Sequence, residues 1–173
     1  ANVIIAGGME SMTNAPYLLL KHRGGARIGH DAIKDSMYLD GLEDAYDPGR
    51  LMGSFAEESA RDYQFTREAQ DAFAIASLGR AQAAIASGAF AGEIVPVAVP
   101  GKGGETLIDT DEQPGKARPD KIPTLKPAFA KDGTITAATS SSISDGAAAL
   151  VLTRASTAEA KGQKPVARIV ASA

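Results

Sequence analysis

Two short apolar runs, Val3 to Ala6 and Ala147 to Leu152, read as buried strands, and nearly the whole chain lies between them. Gly7-Gly8 closes the first run and Asp145-Gly146 opens the second, so each is bounded by turn residues. A chain patterned this way must form a strand, make a long excursion, and return to strand. A third run, Val166 to Ala171, follows Pro165 and reads as one more strand. The chain opens and closes inside such runs, so it is expected to be a piece of a longer protein.

The excursion carries the helical signals. Ser54 with Glu57 three residues on has the form of a capping box, predicting a short helix from Phe55 to about Tyr63. Thr66 is the expected cap of a longer helix, with Glu68 in its first turn and Gly88 as its stop after Ser87. Ile75, Leu78 and Ile85 share one face of it, and Phe73 lies with Ala76 and Ala84 on another. Ile94 to Val99 predicts a strand that Pro96 pushes to a sheet edge. Residues 21–50 are dense in glycine and charge and read as a surface excursion or a partner contact. Residues 100–132 contain Pro114, Pro119, Pro123 and Pro127 and read as one long irregular loop, a form that is commonly functional. Ser156 to Gly162 predicts one or two helical turns ending at glycine.

Composition narrows the chemistry. The formal charge of −3 argues against a general nucleic-acid or membrane-surface binder. No apolar run reaches transmembrane length, and no secretory pattern is present. With no cysteine, a disulfide framework, a thiolate metal site and a thiol nucleophile on this chain are all excluded. His22 and His30 lie in polar, glycine-rich sequence without metal-ligand spacing. Gly7-Gly8 lacks the further glycine of a dinucleotide fingerprint.

The most informative polar segment precedes the second strand. Thr139 to Ser144 holds four serines and a threonine, which cannot be core because each hydroxyl would need a partner. It suits a loop where small side chains and backbone amides approach a ligand closely, or an ordinary polar turn. Lys116, Arg118, Lys121 and Lys126 are interleaved with acids and fit either phosphate contacts or a solvated loop.

Taken together, Val3-Ile-Ile-Ala-Gly-Gly-Met-Glu-Ser-Met12, Leu51-Met-Gly-Ser-Phe-Ala-Glu57 and Thr66-Arg-Glu-Ala-Gln-Asp-Ala-Phe-Ala-Ile-Ala-Ser77 resemble the thiolases. Glu93 to Val97, Leu125 to Phe129 and Thr134 to Leu152 continue the resemblance in family order, so it covers essentially the whole chain. It implies an α/β, thiolase-like fold, with a loop domain inserted between two strands of the N-terminal αβαβα half. Residues 1–12 would be strand and turn of that half, 13–140 the inserted loop domain, 141–162 the returning strand, and 163–173 the opening strand of the C-terminal half.

The resemblance also implies a function. Thiolases transfer acyl groups between acyl-CoA and coenzyme A or acetyl-CoA, by thiolytic cleavage of 3-ketoacyl-CoA or Claisen condensation of acetyl-CoA. Their nucleophilic cysteine would lie before Ala1, and their histidine and second cysteine after Ala173, so no catalytic residue is expected here and the isolated chain is expected to be inactive. What carries over is contact with coenzyme A, a substrate, with no tightly bound cofactor and no metal. Leu42 matches an apolar contact near the adenine. Met52 and Leu51 match the pantetheine site, where Leu51 stands in place of the histidine common in acetoacetyl-CoA thiolases. Leu125, Ala128 and Phe129 match the apolar wall around adenine and pantetheine. Ala137, Ser141 and Ile143 match the segment along the pantetheine, with the Ser141 hydroxyl facing an amide. Lys116 or Arg118 stands in for the family's phosphate-side arginine, which has no direct match. The intact protein is expected to be a cytoplasmic homodimer or homotetramer of fatty acid metabolism, comprising this chain and the remainder of the thiolase. Two alternatives are a non-catalytic acyl-CoA-binding or lipid-transfer relative, and a purely structural subunit-contact domain.

Overall fold

The computed structural model describes residues 1–172, which form two compact units, each taken by itself below. The first unit comprises Ala1–Asp40 and the chain from Ile143 onward. Its main feature is an antiparallel ribbon of β1 (Val3–Glu10) and β6 (Gly146–Thr153), in register from Val3 opposite Thr153 to Glu10 opposite Gly146. Gly7 sits in this ribbon because a Cβ there would collide with the carbonyl oxygen of Ala148. A second, shorter hairpin pairs β2 (Tyr17–Leu19) with β3 (Ile33–Asp35), and a six-residue helix, α4 (Ala155–Ala160), follows β6.

The expected strands at both ends of the excursion therefore form and pair. They are not buried as expected: Ile5 is 75% and Val151 71% exposed. A two-stranded ribbon has two open faces, and among the described residues no other element packs substantially against them. The expected strand from Val166 to Ala171 does not form. Among the described residues no strand lies beside it to share backbone hydrogen bonds, and its propensity alone cannot supply them.

The second unit, Gly41–Ser142, holds α1 (Met52–Asp62), α2 (Arg67–Ser87), the hairpin of β4 (Val97–Gly101) and β5 (Gly104–Ile108), and α3 (Glu112–Lys116). A 3-10 turn, Pro119–Thr124, follows α3. Its core is small: Ala60 of α1, Pro114 of α3, Ile122 of the 3-10 turn and Ile135 are the buried apolar residues among those described, and Asp71 and Thr136 are buried as well.

Helix α2 follows its sequence signals closely. The Thr66 hydroxyl accepts the Ala69 N–H at 3.2 Å, and Gly88 ends the helix in the left-handed region at φ 67°. Helix α1 does not. It begins at Met52 after an extended Leu51, and Ser54 lies inside its first turn, so the expected capping box is not made. Glu57 turns instead toward Thr134 and Ile135, two backbone N–H groups far along the chain. The edge strand also shifts, starting after Pro96 and running through Pro100, because pairing with Gly104–Ile108 sets its register. The hairpin turn, β5 and α3 lie within the stretch read as irregular, where the glycines at 101, 103 and 104 mark the turn.

Two expectations follow. Thr66→Ala should lower the unfolding free energy by about 1 kcal/mol, whereas Ser54→Ala should change it by less than about 0.5 kcal/mol, both read by urea denaturation. In the first unit, Asp145 accepts the Thr13 N–H at 2.9 Å. That bond, aided by the Thr13 and Ser11 hydroxyls and the Met12 N–H, outweighs desolvation and holds its carboxyl below the ordinary aspartate range. The folded carboxyl is thus the stronger acid. Its stabilising contribution is present above the unfolded value and disappears as pH falls through the folded one. Asp145→Asn should lose less stability than the parent between neutral pH and about pH 3 in urea titrations.

Candidate functional site

The second unit contains a cleft of about 1330 Å³. One side is helical: Ala56 and Ala60 of α1, and Phe73, Ser77, Leu78 and Ala81 of α2. Alanine and serine on these faces leave room between the helices and the segments opposite. A second side runs from Gln113 through Arg118 and Lys121 to Leu125. The third runs from Ile135 through Ala137 to Ser142 and carries the run of hydroxyls.

Local hydrogen bonding shapes the hydroxyl-rich side. Thr136 is fully buried. Its N–H donates to the Thr139 hydroxyl at 2.9 Å, and its own hydroxyl accepts the Ala138 N–H at 3.2 Å. Its carbonyl accepts the Ser140 hydroxyl at 2.8 Å, so residues 136–140 form a turn closed by its own side chains. Ser141 follows this turn, exposed at the cleft, and its hydroxyl makes no hydrogen bond among the described residues.

An ion pair between half-buried Arg67 and buried Asp71 holds the second side. Arg67 donates through Nε to both carboxylate oxygens of Asp71, at 2.9 and 2.8 Å. Its Nη2 donates to the carbonyls of Ile122 and Leu125, at 3.1 and 2.9 Å. One guanidinium therefore ties α2 to the 3-10 turn and to the residue after it. Arg118 and Lys121 approach the single carboxylate of Asp120, at 3.6 and 3.8 Å, and remain mostly exposed.

Four of the expected site residues meet in this cleft: Arg118, Leu125, Ala137 and Ser141. A second group lies at the start of α1. Leu51 and Met52 open the helix, and the Phe129 ring lies so close to Gly53 that a Cβ there would collide with it. Leu51 also bridges to Glu43, which places Leu42 one residue from that bridge. Ala128 donates its N–H to the carbonyl of Ile135 at 2.9 Å, joining the segment before Phe129 to the hydroxyl-rich side. Lys116 does not line the cleft; its ammonium pairs with Glu112 one helical turn back at 2.9 Å. Ile143 belongs to the first unit, where it is exposed. Lys121, one of the four basic residues that fit phosphate contacts by sequence, also lines the cleft, and so does Gln70, which the sequence did not mark. The Gln70 amide donates to Phe65 and Thr134, and its Oε1 is buried without a hydrogen-bond partner among the described residues. Its place inside a helical repeat gave no signal of this. Among the described residues no His, Asp and Glu side chains cluster as a metal site, and no helix is long and apolar enough to cross a membrane.

Residues 1–156 match the family described as the N-terminal domain of thiolase, and the chain belongs to that family. It is 48% identical to an acetyl-CoA acetyltransferase of Thiocystis violacea, over 99% of this chain and 44% of that protein. It is 46% identical to an acetyl-CoA acetyltransferase of Schizosaccharomyces pombe, over 98% of this chain and 43% of the other. The solved acetyl-CoA acetyltransferase of Syntrophomonas wolfei superposes with a TM-score of 0.83 at 41% identity, covering 95% of this chain and 41% of that one. The thiolase-like fold expected from sequence is thereby established, and the chain spans less than half the length of these relatives.

Removing one member of the ion pair should cost far more than removing both. Arg67→Met strands the buried Asp71 carboxylate and removes the donor to the Leu125 carbonyl, and should destabilise the second unit by about 3 kcal/mol. Arg67→Met with Asp71→Leu should recover most of that loss, measured as a double-mutant cycle in urea.

Proposed function

We propose that this chain supplies the coenzyme A cleft of a thiolase that transfers acyl groups between acyl-CoA and coenzyme A or acetyl-CoA. The observation that carries this reading is the chemistry of the cleft. It sets the exposed Ser141 hydroxyl, which has no hydrogen-bond partner among the described residues, and a hydroxyl-rich turn on one side, and Arg118 with Lys121 on another. Coenzyme A has a matching division, with amide-bearing pantetheine at one end and an anionic adenosine phosphate at the other. Leu125 and the helical alanines provide apolar surface between. The relatives in Thiocystis violacea and Schizosaccharomyces pombe are acetyl-CoA acetyltransferases, in agreement with this reading.

In the proposed complex, Ser141 donates to a pantetheine amide and Arg118 and Lys121 face the phosphates. Leu51, Met52 and Phe129 form a second apolar contact region. The acyl-transfer step itself needs a thiolate nucleophile and oxyanion donors. This chain has no cysteine, so the nucleophile is assigned to another part of the protein. Coenzyme A is substrate rather than a resident cofactor. The same reading places the intact protein in the cytoplasm, in fatty acid metabolism, as a homodimer or homotetramer.

Calorimetric titration of coenzyme A into the intact protein tests the reading. Ser141→Ala should weaken binding by about 0.5–1.5 kcal/mol, the worth of one neutral hydrogen bond. An unchanged dissociation constant would remove Ser141 from the contact, and a parent protein that binds no coenzyme A would remove the reading itself.

A further inference from the structure

The hydroxyl-rich side of the cleft is pinned at its start by a side chain that does not line the cleft. Glu57, on α1, accepts the Ile135 N–H at 2.9 Å through Oε1, and the Thr134 N–H at 2.9 Å and its hydroxyl at 3.3 Å through Oε2. The Thr134 hydroxyl also accepts from the Gln70 amide at 3.0 Å, so α2 joins the same network. Gly133 bears independently on this point. A Cβ there would collide with the Glu57 carboxylate, so the backbone is bare where the carboxylate must approach it. Past this anchor come buried Ile135, fully buried Thr136 and the turn that presents Ala137 and Ser141.

We propose that Glu57 is a positioning residue for ligand binding: it fixes residues 134–142 in their binding geometry before the ligand arrives, and touches no ligand itself. The proposal rests on the coenzyme A reading above. A wall already held in place loses little conformational freedom when a ligand docks, so affinity depends on the anchor as well as on the contacting groups. A carboxylate suits this task because both oxygens accept, and here they meet three donors. An amide in its place would turn an N–H₂ group toward a backbone N–H and leave a donor without an acceptor.

The proposal separates the two ends of the ligand. The hydroxyl-rich side serves the pantetheine, whereas Arg118 and Lys121 lie on the segment that Arg67 holds. Disturbing Glu57 should therefore weaken coenzyme A while sparing adenosine 3′,5′-bisphosphate, which lacks the pantetheine. The experiment is calorimetric titration of both ligands into the intact protein and its Glu57→Gln and Gly133→Ala variants. Amide hydrogen exchange is followed in parallel without ligand. Expected for both variants are about tenfold weaker coenzyme A binding, bisphosphate binding within about twofold of the parent, and faster exchange confined to 134–142. Gly133→Ala keeps every hydrogen-bonding side chain and displaces the carboxylate only by steric contact, so it tests the anchor even if Glu57→Gln does not fold. Equal weakening of both ligands overturns the proposal, because it shows a general structural role. Unchanged coenzyme A affinity in a folded variant overturns it too. A parent protein that binds neither ligand overturns the coenzyme A reading together with this one, whereas a parent that binds both confines any failure to Glu57.

Discussion

Backbone N–H groups taken out of water need acceptors, and the second unit depends on how that need is met at Thr134 and Ile135. No strand pairs with them. A carboxylate from a helix 77 residues earlier in the chain accepts the Thr134 amide, and accepts the Ile135 amide as well. Leaving such groups unpaired costs about 1–3 kcal/mol each, a large fraction of the roughly 5–15 kcal/mol by which domains stay folded. The return of the chain past α1 is therefore fixed by a charge-assisted contact rather than by apolar packing, for which few buried residues are present.

The same logic recurs on the opposite wall. Arg67 neutralises buried Asp71 and simultaneously donates to the Leu125 carbonyl and to the Ile122 carbonyl, which also accepts the Leu125 N–H. The unit thus uses two charged side chains, one acidic and one basic, to hold irregular segments against regular helices. A cleft with irregular walls can present hydroxyls and cations that a helix or strand would turn to solvent, and such walls stay in place only if something rigid holds them. Small residues on α1 and α2 leave the space between. Function and fold meet in this division: the helices supply rigidity, the segments between Gln113 and Ser142 supply the chemistry, and Glu57 and Arg67 connect them.

What sequence could reveal followed how local each cause is. Helix α2 was legible to its last residue because Thr66 and Gly88 act on their immediate neighbours. The ribbon strands were legible from their apolar runs, and their burial was not, because burial depends on what lies against them. Ser54 and Glu57 have capping-box spacing, yet Glu57 finds stronger demand at residues 134 and 135, and no local rule weighs a distant donor against a near one. The β4–β5 hairpin was hidden for a related reason: its glycines mark a turn, but the pairing that makes two strands of the flanking residues is a tertiary fact. Of the expected ligand residues, Arg118, Leu125, Ala137 and Ser141 came together in one cleft, while Lys116 was claimed by Glu112 one turn away.

The central claim is that the cleft between the helices, the Gln113–Leu125 segment and the Ile135–Ser142 segment receives coenzyme A. Amide hydrogen exchange of the intact protein, with and without saturating coenzyme A, tests it most directly. The account predicts added protection in two separate segments, around Arg118–Leu125 and Thr134–Ser142, with little change in the β4–β5 hairpin. Protection centred on that hairpin, or no protection in the second unit at a ligand concentration where binding is saturated, would contradict it.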